Sequence, residues 1–201
     1  MQPEVPSLII IDMQKGMASP AAGQRNNPQA EQNIAALLQA WRGAGAAVVH
    51  VRHMSRTPES PFWPGQPGAE FQDILAPLPG EHVVEKNVTD CFINTGLERW
   101  LRVRGISRLV IAGVSTNNSV EASARTAGNL SFATQVVADA TFAFAKTDYA
   151  GIHRSADDVH FMALSNLDGE YAEIVDTATL LSTLTSLGRE AGPYRQSFLS
   201  V

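Results

Sequence analysis

The chain has 201 residues, 15 Lys and Arg against 20 Asp and Glu, a formal net charge of −5, and 44% hydrophobic residues. That balance describes a globular chain able to bury a sizeable core, and it lacks the clustered basic residues by which proteins hold nucleic acid or anionic membranes. The single cysteine, Cys91, excludes an internal disulfide and any Cys-based zinc site. No basic leader and no apolar run of roughly 18 residues is present, so the expectation is a cytoplasmic protein acting on a small molecule.

Two kinds of element alternate along the chain. Residues 7–11, 46–51, 82–85, 108–112, 134–138 and 172–175 are short apolar runs rich in branched side chains, the pattern of strands covered on both faces of a parallel sheet. A helix is predicted over 28–44, where Ile34, Leu37, Leu38 and Trp41 recur at helical spacing behind Pro28 and before Gly43 and Gly45. Leu97, Trp100 and Leu101 mark a second helix ending before Gly105. A third spans about 118–127, with Ala122, Ser123, Ala124 and Ala127 small enough for close packing, and two more cover 155 or 156–167 and 177–187.

This alternation predicts a three-layer, doubly wound α/β fold, with about six mainly parallel strands and helices on both faces. No boundary divides residues 1–201, so one domain is expected, with its core at about 7–187 and a tail at 188–201. The Pro-rich segment 54–80 is long for an internal loop, which suits a lid or a subunit contact.

In an open α/β sheet the site lies beyond the carboxyl ends of the strands. There strand 1 runs into Asp12 and Gln14, strand 2 into His50, Arg52 and His53, strand 3 into Lys86, and strand 4 into residues 113–119, Gly-Val-Ser-Thr-Asn-Asn-Ser. Asp12 and Lys86 are each the first charge after a buried strand, which either makes a structural ion pair or prepares a reactive one. Ser119 stands where a helix begins, as an N-cap or as a hydroxyl beside backbone N–H groups able to bind an oxyanion.

Ile9-Ile10-Ile11-Asp12-Met13-Gln14, Lys86, and the segment from Ala112 to Arg125 resemble the isochorismatase-like hydrolases, the cysteine hydrolase superfamily. The likeness runs from Leu8 to about Leu187 and includes Asp139-Ala140-Thr141 and Leu164-Ser165-Asn166-Leu167. It implies a Rossmann-like fold and an amidase-type triad of Asp12, Lys86 and a thiol, with Asp12 taking the thiol proton. It also implies a non-proline cis peptide at Val114–Ser115, an oxyanion hole from the N–H groups of Ser115 and Ser119, and a homodimer or larger assembly. The main departure from the pattern is at the nucleophile, where the family's Cys is Ser119. A serine hydroxyl is far more basic than a thiol and needs a general base. Three readings follow: a natural serine variant, a reaction without a nucleophile, or an engineered Cys→Ser replacement. Cys91 is not at the nucleophile position, and a small buried apolar role is the simpler account.

Gln14, His53, Trp63, Phe92 and Val114 are the expected substrate-lining residues, with Phe62 beside Trp63; Phe142 and Phe144 suit core packing. The stretch Val51-Arg52-His53 lacks the carboxylate of the Asp-x-His pair with which some family members hold a divalent ion, so no metal is expected. The segment 43–48 fails as a dinucleotide motif because its third glycine is missing and it precedes a strand, so no cofactor is expected. A rival reading takes Gly113-Val114-Ser115 as a nucleophile elbow with Asp139 and His153 or His160 behind it, but the second glycine is absent. The favoured activity is hydrolysis of a small amide-type C–N bond. The alternatives are vinyl-ether hydrolysis with Asp12 as acid, and non-catalytic ligand binding.

Overall fold

Successive side chains of β1 (Ser7–Ile11) leave the strand on opposite sides. Ile9 and Ile11 join one buried cluster, with Leu97, Leu101 and Ala124; Leu8 and Ile10 join another, with Ile34, Leu38 and Trp41. A strand apolar on both sides must be covered on both, and this one lies at the centre of a six-stranded sheet. The structure is a computed structural model that describes residues 5–190.

The other sheet strands are β2 (Val48–His53), β3 (His82–Lys86), β4 (Arg108–Val114), β5 (Ala133–Phe142) and β8 (Glu173–Val175). Their order is β3-β2-β1-β4-β5-β8, and every pairing is parallel. A short antiparallel ladder, β6 (Lys146–Thr147) with β7 (His153–Arg154), lies outside the sheet and carries no hydrophobic pattern that announces it. Helices α1 (Ala30–Gly43) and α5 (Thr177–Glu190) supply one cluster, and α2 (Leu97–Val103), α3 (Glu121–Asn129) and α4 (Ala156–Ser165) supply the other. The expected tail from residue 188 is helical through Glu190 and otherwise falls outside the described residues.

Local chemistry sets the helix ends. Trp41 is buried on α1, and its indole N–H donates to the Pro6 carbonyl at 2.7 Å, tying the helix to the start of β1. Ser155 caps α4 in a reciprocal box with Asp158. The strand order reverses between β1 and β4, so the crevice that such sheets use for ligands opens between their carboxyl ends.

Candidate active site

Asp12 follows β1 in a left-handed conformation, φ 53°, which Asp tolerates better than most residues. Its N–H donates to the Val51 carbonyl at 2.9 Å, which anchors it to the neighbouring strand. Lys86 ends β3, two strands away, roughly 10 Å by ordinary strand spacing. Only a long side chain spans that gap: Lys86 Nζ donates to Asp12 Oδ2 at 2.7 Å and to Ser119 Oγ at 3.2 Å. All three residues are buried, Ser119 to 6% exposure.

Burial pushes the Asp12 carboxyl above its ordinary range, although the Lys86 ammonium and the Ser119 hydroxyl pull the other way. Asp12 Oδ1 is buried without a hydrogen-bond partner among the described residues. A carboxylate oxygen so placed is free to take a proton, and the raised pKa makes it a better base once ionised.

Ser119 sits in a π-helical turn, Thr116–Val120, where the third helix was expected to have begun; α3 itself starts at Glu121. The turn follows Gly113, φ 123°, where a Cβ would lie 2.1 Å from the Ile11 carbonyl oxygen. Only glycine lets β4 approach β1 this closely. The Val114–Ser115 peptide is cis. Beyond it the N–H groups of Asn118 and Val120 donate to the Ser115 carbonyl at 3.0 and 3.2 Å, and the Ser115 hydroxyl donates to Asn117 Oδ1 at 2.7 Å.

The remaining expected residues divide. His53 is half-buried within β2, opposite Lys86 in the strand register, and burial and the Lys86 charge push its pKa down. Strand β2 thus runs two residues further than its apolar pattern, and His50 and Arg52 lie inside it. The His53 ring meets Phe62 edge-on at 6.3 Å, with Trp63 next in the same loop, half-buried. Phe92 is turned into the core against Phe132, their centroids 6.0 Å apart, and Val114 is fully buried. Phe142 is a core side chain as well, and Arg25 stacks on it.

Gln14 is buried, with its amide fully engaged: Nε2 donates to the carbonyls of His53 and Ala69, each at 2.9 Å, and Oε1 accepts from the His53 N–H at 2.8 Å. Together with the Lys15–Glu70 ion pair at 2.7 Å and the Gln72 N–H on the Met13 carbonyl at 3.1 Å, it pins the Pro-rich loop to the segment after β1. Phe62 packs so closely on Gly16 that a Cβ there would lie 2.7 Å from its ring.

The rival elbow does not assemble. Asp139 accepts from the N–H and hydroxyl of Thr177 at 2.9 and 2.8 Å, bracing β5 to α5. His153 is exposed on β7, and His160 meets Thr116 instead of Ser115. Cys91 is fully buried behind the site, its thiol pushed up to about 12 by desolvation. Among the described residues no three His, Cys, Asp or Glu side chains gather to hold a metal ion, and no helix is long and apolar enough to cross a membrane.

A parallel α/β sheet with an Asp–Lys–Ser cluster at its reversal point defines a class of hydrolase. Comparison with known proteins specifies it further: residues 6–179 match the Isochorismatase domain, and the chain belongs to that family of hydrolases. It is 36% identical over 179 residues to the isochorismatase family protein YrdC of Bacillus subtilis, covering 89% of this chain and 96% of that one. It is 28% identical over 198 residues to maleamate amidohydrolase of Pseudomonas putida, covering 90% and 88%. A crystal structure of an isochorismatase-family protein from Chromobacterium violaceum superposes with a TM-score of 0.90 at 50% identity, covering 92% of this chain and 96% of that one.

Proposed function

We propose that this chain hydrolyses a small amide-type C–N bond through Asp12, Lys86 and Ser119. The observation that carries the reading is the Lys86 ammonium held between Asp12 Oδ2 and Ser119 Oγ. Asp12, through its unpartnered Oδ1, takes the Ser119 hydroxyl proton as Oγ bonds to the carbonyl carbon, and Lys86 stabilises the developing alkoxide. The carbonyl oxygen becomes an oxyanion toward the N–H groups of Ser115 and Ser119. Collapse breaks the C–N bond, and Asp12 passes its proton to the leaving nitrogen. Water then attacks the acyl ester, gives Asp12 a proton that returns to Ser119, and releases a carboxylic acid. The likeness to an amidohydrolase supports the C–N class. The partner is a small molecule. A second copy is inferred to cover the exposed Phe161 and Met162 of α4.

A second reading takes the buried Asp12 carboxyl, its pKa raised by desolvation, as an acid: Asp12 gives its proton to the vinyl carbon, water adds to the oxocarbenium carbon and returns a proton to Asp12, and the hemiketal breaks to alcohol and carbonyl with no side-chain nucleophile. Position 119 separates the two. With maleamate and a panel of small amides as substrates, Ser119→Ala lowers kcat about 1000-fold or more under the first reading, and Ser119→Cys raises it. Vinyl-ether turnover, assayed on isochorismate, that survives Ser119→Ala intact establishes the second.

A further inference from the structure

The π-helical turn that carries Ser119 is held from behind by a buried histidine. His160 of α4 is 1% exposed, and its Nδ1 lies 2.8 Å from the hydroxyl oxygen of Thr116, itself fully buried at the first position of the turn. The other ring nitrogen, Nε2, faces Asn27 Nδ2 at 3.5 Å. Both hydrogens of that amide are committed: Asn27 Nδ2 donates to the Ala138 carbonyl at 2.9 Å and to the Thr141 carbonyl at 2.6 Å. Two carbonyls fix which end of the Asn27 side chain is nitrogen, because an amide oxygen there would meet two acceptors.

This arrangement determines the tautomer. A proton on His160 Nε2 would point at an amide nitrogen that has no lone pair to offer, on a ring that is only 1% exposed. The stable neutral form therefore carries its proton on Nδ1, and that proton donates to Thr116 Oγ1. The Asn27 amide, tied to the Ala138 and Thr141 carbonyls of β5, lies against the Nε2 edge of the ring, and the Nδ1–H on the opposite edge reaches the turn at Thr116.

We propose that His160, as its Nδ1–H tautomer, is a positioning residue that holds the Thr116–Val120 turn and so sets Ser119 Oγ against Lys86. The inference rests on the reading of Ser119 as nucleophile only for its consequence in catalysis; the positioning itself is tested without turnover. In the rival elbow His160 would serve Ser115; in the structure its partner is Thr116.

The test uses two neutral replacements that differ in which ring nitrogen they mimic. In His160→Asn the amide nitrogen overlays Nδ1 and can donate to Thr116; in His160→Gln the amide overlays Nε2, and Thr116 loses its donor. Both are made in a Ser119→Cys background, and the probe is iodoacetamide, whose alkylation rate follows the thiolate fraction at position 119. Cys91 is a negligible competitor because its buried thiol is pushed up to about 12. The expected result is a rate within about 2-fold of the parent for His160→Asn and about 10-fold slower for His160→Gln, the loss that a one-unit rise in thiol pKa produces.

In the wild-type protein, long-range 15N–1H correlation spectra of the imidazole should show the His160 proton on Nδ1. Equal rates for the two variants, or a proton on Nε2, overturn the proposal. If amide turnover is absent from the wild type while the alkylation split and the tautomer hold, the assigned reaction fails and the positioning stands. Should either variant fail to fold by circular dichroism, the tautomer measurement on the unmodified protein still decides.

Discussion

Gln14 grips the backbone of His53 at both ends, its Oε1 accepting from the N–H at 2.8 Å and its Nε2 donating to the carbonyl at 2.9 Å. The same amide nitrogen reaches the Ala69 carbonyl, so one side chain joins the end of β2 to the Pro-rich loop. Gln14→Ala is expected to lower the unfolding free energy by about 2–4 kcal/mol, because it leaves buried backbone groups unpaired and opens a cavity. Gln14→Glu should cost at least as much, since a carboxylate oxygen would face two carbonyls. Urea unfolding checks both, and an unchanged midpoint would show that the clamp carries no stability.

Asp12 predicts the pH dependence of amide turnover. As a base it must be ionised, and burial raises its pKa. The acid limb of kcat/KM should therefore fall above the ordinary carboxylate range, with activity rising as pH increases through it. Asp12→Asn removes the base and should reduce turnover by about 1000-fold or more. A profile that stays flat well below the limb expected for this carboxyl would contradict the assignment.

Glu81 is expected to contribute to acid stability. Arg42 binds it through two nitrogens at 2.7 and 2.8 Å, His50 Nε2 lies at 2.8 Å, and the Leu78 N–H donates to it at 2.7 Å. These contacts outweigh desolvation and bring its pKa from 4.5 to about 2. A depressed carboxylate stabilises the fold above its unfolded pKa, and the contribution disappears as pH falls from 4.5 through about 2. Glu81→Gln should lower stability at neutral pH by about 2 kcal/mol, discounted for partial exposure, and flatten this part of the acid limb. Thermal melts across that range provide the measurement.

Much of this was legible in the sequence because burial writes itself into periodicity. The unbroken branched run of β1 and the stripe Ile34, Leu37, Leu38, Trp41 placed the central strand and α1 within two residues of their observed bounds. Asp12, Lys86 and Ser119 were visible as polar residues closing apolar strands or opening a helix, and they do converge. What stayed hidden depends on partners far apart in the chain. The close approach of β4 to β1 at Gly113 joins distant segments, the Gln14 clamp uses backbone groups 39 and 55 residues away, and the His160 contact a hydroxyl 44 residues away. Phe92 read as a pocket wall because an aromatic after Lys86 has no local sign of direction; the core beside Phe132 claims it.

Gly113 is expected to tolerate no side chain. With φ at 123° and an added Cβ at 2.1 Å from the Ile11 carbonyl oxygen, Gly113→Ala must separate β4 from β1 near the point where Lys86 bridges Asp12 and Ser119. The cost should reach about 3 kcal/mol or more, combining positive-φ strain with overpacking. Soluble yield and denaturant midpoint report it, and a protein of unchanged midpoint would mean that the strands separate without cost.

Thiol chemistry offers a direct view of the two positions that the family resemblance set against each other. The native Cys91 thiol is fully buried, accepts no ionising help sufficient to offset desolvation, and is pushed up to about 12. At pH 8 a disulfide reagent should therefore leave the folded protein unlabelled and modify one thiol per chain once it is unfolded. Ser119→Cys places a second thiol beside the Lys86 ammonium, at a site where the serine oxygen lies 3.2 Å from Nζ. That thiol should react in the folded state, and Lys86→Met in the same background should slow it by about 10-fold or more as the stabilising cation is lost. Labelling of Cys91 in the folded wild type, or a rate at position 119 indifferent to Lys86, would contradict this electrostatic picture of the site.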